Sequence, residues 1–438
     1  MAAARATDAG AELYDFAAEL YPICRSITGN GLRATLDAIG RRIPLKRHEV
    51  PTGTRVFDWK VPLEWNVEDA AVLDDAGRRV VDFQAHNLHL VNYSEPVRAT
   101  LSLAELLPRL HALPERPDWI PYRTSYYRRS WGFCMRAHER AALRPGRYRV
   151  QIQSSLGKGA LSYGELAIPG RTRDEVLFFS HACHPSLAND NTSGLSVATA
   201  LARWIAGARR RLSYRFVFGP GTIGALAWLK RNEQRLPRIR HGLVLALLGD
   251  PGPLTYKMTR AGGREIDVIA PHALGAPAHT IPFNPYGYDE RQLNSPGFNL
   301  PVGRLTRSVN GGYPQYHTSA DDLSLITPAA LAESLRACQR IVELLEENEY
   351  YVNRCPKGEP RLGKRGLYGA LGGAGPKVEE EAMLWVLNQS DGEHSLLHIA
   401  HRSGLEFATV RSAAQALLRA RLLRPSGGPV PGKRRVAA

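Results

Sequence analysis

Four residues whose side chains can bind metal or move protons lie close together near the middle of the chain. Directly after the apolar run at 176–179 come His181, Cys183, His184 and Asp190. Two neutral imidazoles and a carboxylate suit a borderline metal such as zinc. The alternative interpretation is an ordinary polar loop between a strand and a helix, so the pattern indicates a metal site without requiring one.

The surrounding elements place this cluster at the end of a buried strand. Apolar runs of strand length alternate with helical spacing, at 176–179, 194–208, 214–218, 223–232, 242–248 and 328–348. Such alternation predicts an α/β fold with a mainly parallel sheet flanked by helices. Ligands bind such sheets at the carboxyl ends of the strands, which is where the cluster begins.

The composition predicts a globular protein of two or three domains, with 438 residues of which 44% are hydrophobic and 23% charged. No apolar run approaches the roughly 20 residues that span a bilayer, and the start lacks a signal pattern. We therefore expect a cytoplasmic protein without a membrane partner. The five cysteines are odd in number and scattered, which predicts reduced thiols instead of disulfides.

The chain is basic, with 57 Lys and Arg against 42 Asp and Glu and a net charge of +15. Such charge can attract nucleic acid, an anionic substrate or an acidic carrier protein. A GC-rich genome, which favours arginine, gives the same excess. Charge alone therefore does not assign a partner.

Changes of pattern along the chain predict five segments. They are an α/β domain at 1–43 and 170–357, an inserted β-rich domain at 44–169, a Gly/Pro linker at 358–376, a winged helix-turn-helix at 377–425 and a basic tail at 426–438.

Several distinctive motifs are spread along the chain. They are Glu12-Leu13-Tyr14, the stretch 20–31 (LYPICRSITGNG), His181 with Asn189-Asp190-Asn191-Thr192-Ser193-Gly194, Gly249-Asp250-Pro251-Gly252 and Tyr316-His317-Thr318-Ser319-Ala320-Asp321-Asp322. The chain most resembles a bacterial aminopeptidase-like branch of the M28-type zinc peptidase fold, with an inserted β domain and an appended winged helix. The resemblance extends over nearly the whole chain.

The resemblance implies a zinc cofactor and four metal ligands. The matching positions are His181, Asp190, Asp250 and His317. Cys183 stands where the aminopeptidases have an Asp that orients the His ligand, so that support is altered. Thr222 stands where they have a second zinc-binding Glu, and we therefore expect one zinc ion instead of two.

The largest departure from the resemblance lies at Gly221. The branch has Pro-Glu-Thr-Ile-Gly where this chain has Pro220-Gly221-Thr222-Ile223-Gly224, and that Glu corresponds to the general base. A general base contributes about 10² to 10⁴ in rate, so unassisted hydrolysis is expected to be impaired. The candidates to replace it are His184, Glu265, Asp289 and Glu290. Alternatively, the site performs acyl transfer to an amine, for which activated water is a competitor.

Three residues near the expected site are predicted to contact substrate, namely Tyr286, Arg291 and Tyr316. Arg291 can pair with a substrate carboxylate in bidentate fashion. The alternative is an internal salt bridge with Asp289 or Glu290.

Three functions stay open at this level. The favoured one is a metal-dependent enzyme that acts on an amide or peptide-like bond of a small molecule, or transfers a carrier-bound acyl or aminoacyl group, in a biosynthetic pathway. The second is a catalytically inactive metal-binding scaffold. The third is a DNA-binding regulator that uses Arg411, Arg419 and Arg421 of the winged helix, although nucleic acid is the less favoured partner. Formation of a homo-oligomer is also open.

Overall fold

The computed structural model describes residues 2–367 and 378–428. The helices are α1 Ala2–Leu20, α2 Asn30–Gly40, α3 Leu103–Leu106, α4 Ala137–Ala141, α5 Gly194–Ala206, α6 Ile223–Asn232, α7 Glu265–Leu274, α8 Glu290–Leu293, α9 Pro328–Glu347, α10 Val378–Gln389, α11 Leu396–Ser403 and α12 Phe407–Arg419. Residues 368–376 of the predicted linker and 429–438 of the predicted tail lie outside the described residues.

The described residues form nineteen strands, β1 to β19. They are β1 Lys46–Pro51, β2 Arg55–Val56, β3 Trp59–Lys60, β4 Glu64–Leu73, β5 Arg79–Asp82, β6 Val97–Ser102, β7 Leu110–His111, β8 Phe133–Cys134, β9 Arg147–Gly157, β10 Ala160–Ile168, β11 Glu175–His181, β12 Ser213–Gly219, β13 Ile239–Leu245, β14 Thr255–Lys257, β15 His279–Ile281, β16 Val302–Thr306, β17 Tyr350–Asn353, β18 Asp391–Ser395 and β19 Leu423–Ser426.

Eight strands form the central sheet, in the order β1-β10-β12-β11-β13-β16-β14-β15. The four middle strands, β12, β11, β13 and β16, run parallel to one another. Antiparallel pairing occurs on either side of them, between β1 and β10, β10 and β12, and β14 and β16. The α/β prediction is confirmed, and the sheet is mixed, with a parallel centre.

Strand β11 lies in the middle of this sheet, and all of its residues are buried. A strand that is covered on both faces requires the continuous apolar run that the sequence has at this point. The chain leaves the sheet at His181 and enters α5 at Gly194, so the polar residues between them lie at the edge where the parallel strands end.

The β-rich insert is smaller than predicted. Strands β5-β4-β9-β6 form a separate antiparallel sheet within residues 64–157. Strands β1 and β10, which the boundaries 44–169 assign to the insert, pair with each other and with β12 in the central sheet. Alternating polarity identifies a strand but not its pairing partner, which explains the error.

The described residues divide into two units between Arg340 and Ile341. In the second unit, β18-β17-β19 form a three-stranded sheet, and α10, α11 and α12 pack on one another. Strand β17 pairs with both of its neighbours. Strand β17, which lies ahead of the predicted boundary at 377, therefore shares a sheet with β18 and β19.

Among the described residues, none of the helices combines the length and the apolar character needed to cross a bilayer.

Candidate metal centre

Asp190 lies at the centre of three histidines beyond the end of β11, and its side chain is fully buried. One carboxylate oxygen, Oδ1, lies 2.8 Å from Nε2 of His181, and the other, Oδ2, lies 3.0 Å from Nε2 of His317. His184 approaches from the His181 side, with Nδ1 3.9 Å from Oδ1. The structure thus brings together three of the four residues predicted as metal ligands, and adds His184.

His181, His184 and Asp190, which we call the ligand group, offer ligand atoms that all lie within 4.8 Å of one another. In a tetrahedral zinc site with bonds of about 2.0 to 2.2 Å, the ligand atoms are about 3.3 to 3.6 Å apart. The three ligand atoms are therefore close enough together for one ion to be held between them. Two imidazole nitrogens and a carboxylate oxygen are a donor set that zinc accepts, so the residues fit a zinc site.

Burial and neighbouring charges give these ligands the protonation states that bind metal. Burial alone raises the pKa of Asp190, but its electrostatic interaction with His184 in the acid range, together with the hydrogen bonds from His181 and His317, outweighs burial and holds the pKa well below its usual range. Burial lowers the pKa of His184 to about 3. At neutral pH the carboxylate is therefore ionised and His184 is neutral, as metal coordination requires.

Asp321 supports the loop that carries Asp190. Its carboxylate accepts hydrogen bonds from the backbone N–H groups of Asn189, at 2.6 Å, and Asp190, at 3.1 Å. Burial and the charge of Asp190 raise the pKa of Asp321 to about 8. Sequence reasoning missed this role, although Asp321 belongs to the same motif as His317.

Two of the histidines are stacked against tyrosine rings. Tyr288 lies on His181 with 4.7 Å between ring centroids, and Tyr316 lies on His317 at 3.9 Å. The hydroxyl groups of the two tyrosines are 3.4 Å apart. These contacts fix the imidazole planes. Sequence reasoning did not foresee the role of Tyr288, although its position inside the aromatic stretch at 285–288 was a signal.

A segment of the inserted domain packs over the other side of the cluster. The ring edge of Tyr122 meets the rings of His184, at 5.3 Å, and His317, at 5.2 Å. The backbone N–H of Tyr122 donates to the carbonyl of His317 at 2.9 Å, and that of Ser319 donates to the carbonyl of Ile120 at 2.8 Å. We call this pair of backbone bonds the insert bridge.

Arg25, from the long N-terminal motif, supports His184 from behind. Its guanidinium is buried, and Nε donates to the His184 carbonyl at 2.9 Å while Nη1 donates to the Leu20 carbonyl. Burial lowers the pKa of Arg25 to about 10, which leaves it charged at neutral pH. The motif therefore positions a histidine of the cluster.

Gly221 tolerates a Cβ, and Asp289 contacts the residue that follows it. A Cβ on Gly221 would lie 3.6 Å from Sγ of Cys183 and 4.0 Å from Cβ of His181, which are ordinary contacts. The Gly221 N–H donates to Cys183 Sγ at 3.2 Å. The next residue, Thr222, donates its N–H to Oδ1 of Asp289 at 2.8 Å. A carboxylate from another loop thus reaches the vicinity of the missing base.

Asp289 has the features that a general base needs. It is buried, and its second oxygen, Oδ2, has no hydrogen-bond partner within the described part of the chain. Burial raises its pKa to about 6, against the lowering effect of His181. One fixed oxygen, one free oxygen and a pKa near neutrality favour the predicted catalytic role of Asp289.

Asp250 is the predicted ligand that the structure places elsewhere. Its Oδ1 accepts hydrogen bonds from Gly252 N–H at 2.8 Å and Ser308 Oγ at 2.7 Å. Its Oδ2 accepts from Asn189 Nδ2 at 2.9 Å and Ser308 N–H at 3.2 Å. Two bonds on each oxygen occupy the lone pairs of the carboxylate. Asp250 therefore anchors the loops around it and does not join the ligand group.

Glu290, predicted to be catalytic, is instead the buried partner of two cations. Its Oε1 lies 2.9 Å from Nζ of Lys257 and 3.2 Å from Nη1 of Arg304, and all three side chains are buried. Arg304 in turn lies over the ring of Tyr288, 5.6 Å from its centroid. The ion pairs thus back the tyrosine that stacks on His181, which is a structural role.

The residues predicted to contact substrate have different surroundings. Arg291 donates from Nη2 to Oγ1 of Thr222 at 3.0 Å, and Nε has no partner among the residues that the structure describes. The alternative salt bridge with Asp289 or Glu290 is not formed there. Tyr286 is largely exposed, with 67% of its surface accessible.

Glu265, another candidate for the general base, is the first residue of α7.

Fold and site together define an aminopeptidase-like α/β protein with a C-terminal winged helix. The chain belongs to the family described as a domain of unknown function (DUF4910), whose model matches residues 14–348. A winged helix-turn-helix family model matches residues 349–425 and therefore includes β17, as the observed sheet does.

The similar proteins include a close bacterial relative. A Clostridium acetobutylicum protein, named for polysaccharide biosynthesis and for its aminopeptidase-like domain, is 47% identical over 422 residues, which cover 95% of this chain and 97% of the relative. The crystal structure of a C. acetobutylicum protein named as a peptidase has a TM-score of 0.88 at 46% identity, and covers 96% of this chain and 97% of that chain.

Zinc aminopeptidases share the fold at low sequence identity. BSAP, a zinc aminopeptidase from Bacillus subtilis, has a TM-score of 0.56 at 12% identity, over 77% of this chain and 95% of that chain. A peptidase M28 precursor from Shewanella amazonensis has a TM-score of 0.54 at 13% identity, and the match covers 79% of this chain and 96% of that chain. The predicted resemblance to M28-type zinc aminopeptidases is confirmed for the fold.

Proposed function

We propose that this protein is a zinc-dependent enzyme that acts on an amide or peptide-like bond of a small molecule in polysaccharide or related biosynthesis. The observation that carries the proposal is Asp190, a buried carboxylate that lies between Nε2 of His181 and Nε2 of His317. The shared fold of zinc aminopeptidases supports the type of bond, and the relative named for polysaccharide biosynthesis supports the pathway.

The ligand group of His181, His184 and Asp190 would hold one zinc ion, and His317 lies on the remaining oxygen of Asp190. Bound zinc supplies a Lewis acid that polarises the carbonyl of the scissile bond. The tyrosine rings that pack on these histidines keep the imidazoles in place and limit the access of water.

Asp289 acts as the general base in place of the glutamate that Gly221 lacks. The Thr222 N–H holds Oδ1, so that Oδ2 is free to accept a proton from the attacking group. A new bond forms at the carbonyl carbon, the C–N bond of the substrate breaks, and Asp289 returns the proton to the departing amine. Water as the attacking group gives hydrolysis, and an amine gives acyl transfer.

Arg291, Tyr286 and Tyr316 provide the contacts to substrate. Arg291 donates a hydrogen bond from Nη2 to Thr222 Oγ1, and its Nε has no partner in the described residues. Nε can therefore donate to a carboxylate or carbonyl oxygen of the substrate. Tyr316 places a ring beside His317, and Tyr286 offers an exposed ring.

Metal analysis of matched variants tests the proposal. Asp190→Ala removes the carboxylate shared by the histidines, and we expect the bound zinc of the purified protein to be lost. Asp250→Asn is the control, because that carboxylate is saturated by hydrogen bonds outside the ligand group. It should destabilise the fold but retain zinc. Retention of zinc by the Asp190 variant, or its loss only in the Asp250 variant, contradicts the assignment.

The type of reaction is tested by offering aminoacyl-anilides alone and then with an added amine. Release of free amino acid identifies hydrolysis, and appearance of the new amide identifies acyl transfer. Absence of both, with zinc bound, favours the scaffold function instead.

A further inference from the structure

A group of exposed arginines lies at the edge of the central sheet opposite the histidine cluster and takes no part in the proposed chemistry. These arginines belong to the segments that lead into β11, β12 and β13, and we call them the arginine patch: Arg171, Arg173, Arg209, Arg235 and Arg238. The parallel strands begin at this edge, whereas β11 ends at His181 on the other. The patch is therefore separate from the candidate metal centre.

The pairing of the strands brings the segments of the patch side by side. Glu175, the first residue of β11, pairs with Ser213, the first of β12, and with Ile239, the first of β13. Because neighbouring strands lie about 4.8 Å apart, the segments enter the sheet within a strip about 10 Å wide. The backbone N–H of Arg171 also donates to the carbonyl of Arg210 at 3.1 Å, which joins two of the segments directly. The arginines of the patch are therefore neighbours.

Acidic side chains of the same segments do not balance the charge of the patch. Within the described ranges, none of the patch arginines forms an ion pair. The acids of these segments instead pair with other cations: Asp174 with Arg240 at 3.0 Å, Glu175 with Arg215 at 2.6 Å and Glu233 with Lys230 at 3.7 Å. The guanidinium groups of the patch are therefore available to a partner.

The patch offers charge without apolar anchors. The large hydrophobic side chains that are exposed in the described chain all lie in other segments: Trp59, Tyr127, Tyr286 and Val378. The ring of Trp204, close in sequence to Arg209, is covered by the guanidinium of Arg210, 4.2 Å from its centroid. Protein partners are usually held by aromatic anchors in buried pockets, and single-stranded nucleic acid by stacking on aromatic rings. A partner that presents only a layer of negative charge fits the patch better.

The observed elements also give little support to duplex DNA as the partner. An α-helix or a β-ribbon enters the major groove, whereas the patch consists of loops and the short 3₁₀ helix Glu233–Arg238. In the winged helix, Arg411 of α12 is ion-paired with Glu347, with Nη2 3.1 Å from Oε1. Arg421 lies beyond the end of that helix, which closes at Arg419.

We propose that the arginine patch binds the anionic surface of a lipid membrane through the lipid phosphate groups. Guanidinium groups stay charged and match phosphate oxygens in bidentate fashion. Each basic residue near an anionic leaflet raises partitioning roughly fivefold, so the patch as a whole supplies on the order of 10³. The expectation of a protein without a membrane partner rests on the lack of a spanning segment, which attachment of this peripheral kind does not require.

Attachment by this edge leaves the candidate metal centre accessible. Glu175 lies at the patch end of β11, and His181 lies at the other end of the same strand. At about 3.3 Å per residue, the two ends are about 20 Å apart. A chain that is held through the patch can therefore still receive a substrate at the opposite edge of the sheet.

Co-sedimentation of the full chain with lipid vesicles tests the proposal. Vesicles of phosphatidylcholine with about 30 mol% phosphatidylglycerol are compared with vesicles of phosphatidylcholine alone. We expect binding to the anionic vesicles only, and release at about 1 M salt, where the screening length is about 3 Å. Arg171→Gln/Arg173→Gln should weaken partitioning about 30-fold, as the loss of two cations predicts.

The matched control is Arg98→Gln/Arg149→Gln, which removes the same charge from exposed positions on β6 and β9 of the insert. It should partition like the parent chain, and both double variants should keep the parent melting temperature because the substituted side chains are exposed. Asp190→Ala should also partition like the parent chain, so the result does not depend on the proposed metal chemistry.

The other outcomes overturn the proposal. Equal sedimentation with both kinds of vesicle, or equal weakening by the two double variants, shows that the patch is not the membrane-binding surface. Absence of sedimentation with the anionic vesicles at low salt removes the membrane as a partner. Binding of duplex DNA that Arg171→Gln/Arg173→Gln abolishes, without vesicle binding, identifies nucleic acid as the partner instead.

Discussion

Replacement of Asp289 by Asn should lower turnover and raise stability, because the proposed mechanism uses this carboxylate as the general base and the carboxylate is costly to bury. Asn retains an oxygen for the Thr222 N–H that now bonds Oδ1 at 2.8 Å, so the loop geometry is kept. It cannot accept a proton. We expect kcat to fall by about 10² to 10⁴, the contribution of a general base, with the zinc content unchanged.

The gain in stability follows from the pKa of Asp289. Burial raises it from 3.8 to about 6 in the folded protein. An acid whose pKa is higher in the folded than in the unfolded protein lowers the free energy of unfolding once it ionises. The effect is absent at pH values below the unfolded-state pKa and complete at pH values above the folded-state pKa. For Asp289 it amounts to about 3 kcal/mol. An unpaired amide N–H at the place of Oδ2 returns about 1 kcal/mol of this. The free energy of unfolding at pH 8 should therefore rise by about 2 kcal/mol.

Urea unfolding of the metal-free protein measures this difference, and an anilide assay of the zinc-loaded protein measures kcat. The gain in stability should shrink as the pH falls from 6 towards 4. Asp322→Asn, at an acid outside the cluster, serves as the control and should change neither quantity in this way. Loss of stability together with turnover would show that Asp289 has a structural role, and full turnover would place the base elsewhere.

Two further predictions concern neighbouring positions. In the Asp289→Asn background, Gly221→Glu should raise anilide turnover by about 10², because a Cβ at position 221 makes only ordinary contacts with Cys183 and His181. Gly221→Gln, which cannot accept a proton, should not raise it. Equal activity of the two variants would refute a proton-transfer role. Glu290→Gln should lower the free energy of unfolding by about 3 to 5 kcal/mol, because it removes the anionic partner of two buried cations. Urea titration measures this change. A change below about 1 kcal/mol would contradict the buried ion pairs.

The parts of the fold that the sequence predicts well are those with local causes. The apolar run at 176–179 becomes the fully buried strand β11, and the polar residues after it lie where parallel strands end. His181 and Asp190 of one motif and His317 of another are predicted as ligands, and the structure places the three together.

The contacts that the sequence does not reveal join residues that are distant along the chain. Asp250 follows a strand, as a ligand does, but its hydrogen bonds to Ser308 and Asn189 occupy the carboxylate. Glu290 resembles a catalytic acid in sequence, but its charge is neutralised by Lys257 and Arg304 from two other strands. No local pattern of residues shows how a carboxylate is shared with side chains far along the chain.

The limits of the domains were hard to predict for a similar reason. Strands β1 and β10 have the same short alternating pattern as the strands of the insert, and only their pairing assigns them to the central sheet. Strand β17 has four residues, too few to show a pattern, yet it holds the winged-helix sheet together.

The insert bridge ties the inserted domain to the histidine cluster around Asp190, so the insert is an integral part of that cluster instead of a detachable accessory. His317 shares a backbone hydrogen bond with Tyr122, so its position depends on a segment encoded far upstream. Grafting a foreign domain in place of 64–157 would therefore leave this histidine without its support even if the central sheet assembled. Sequence variation that keeps His317 in place must preserve the register of 120–122, which leaves the rest of the insert freer to vary.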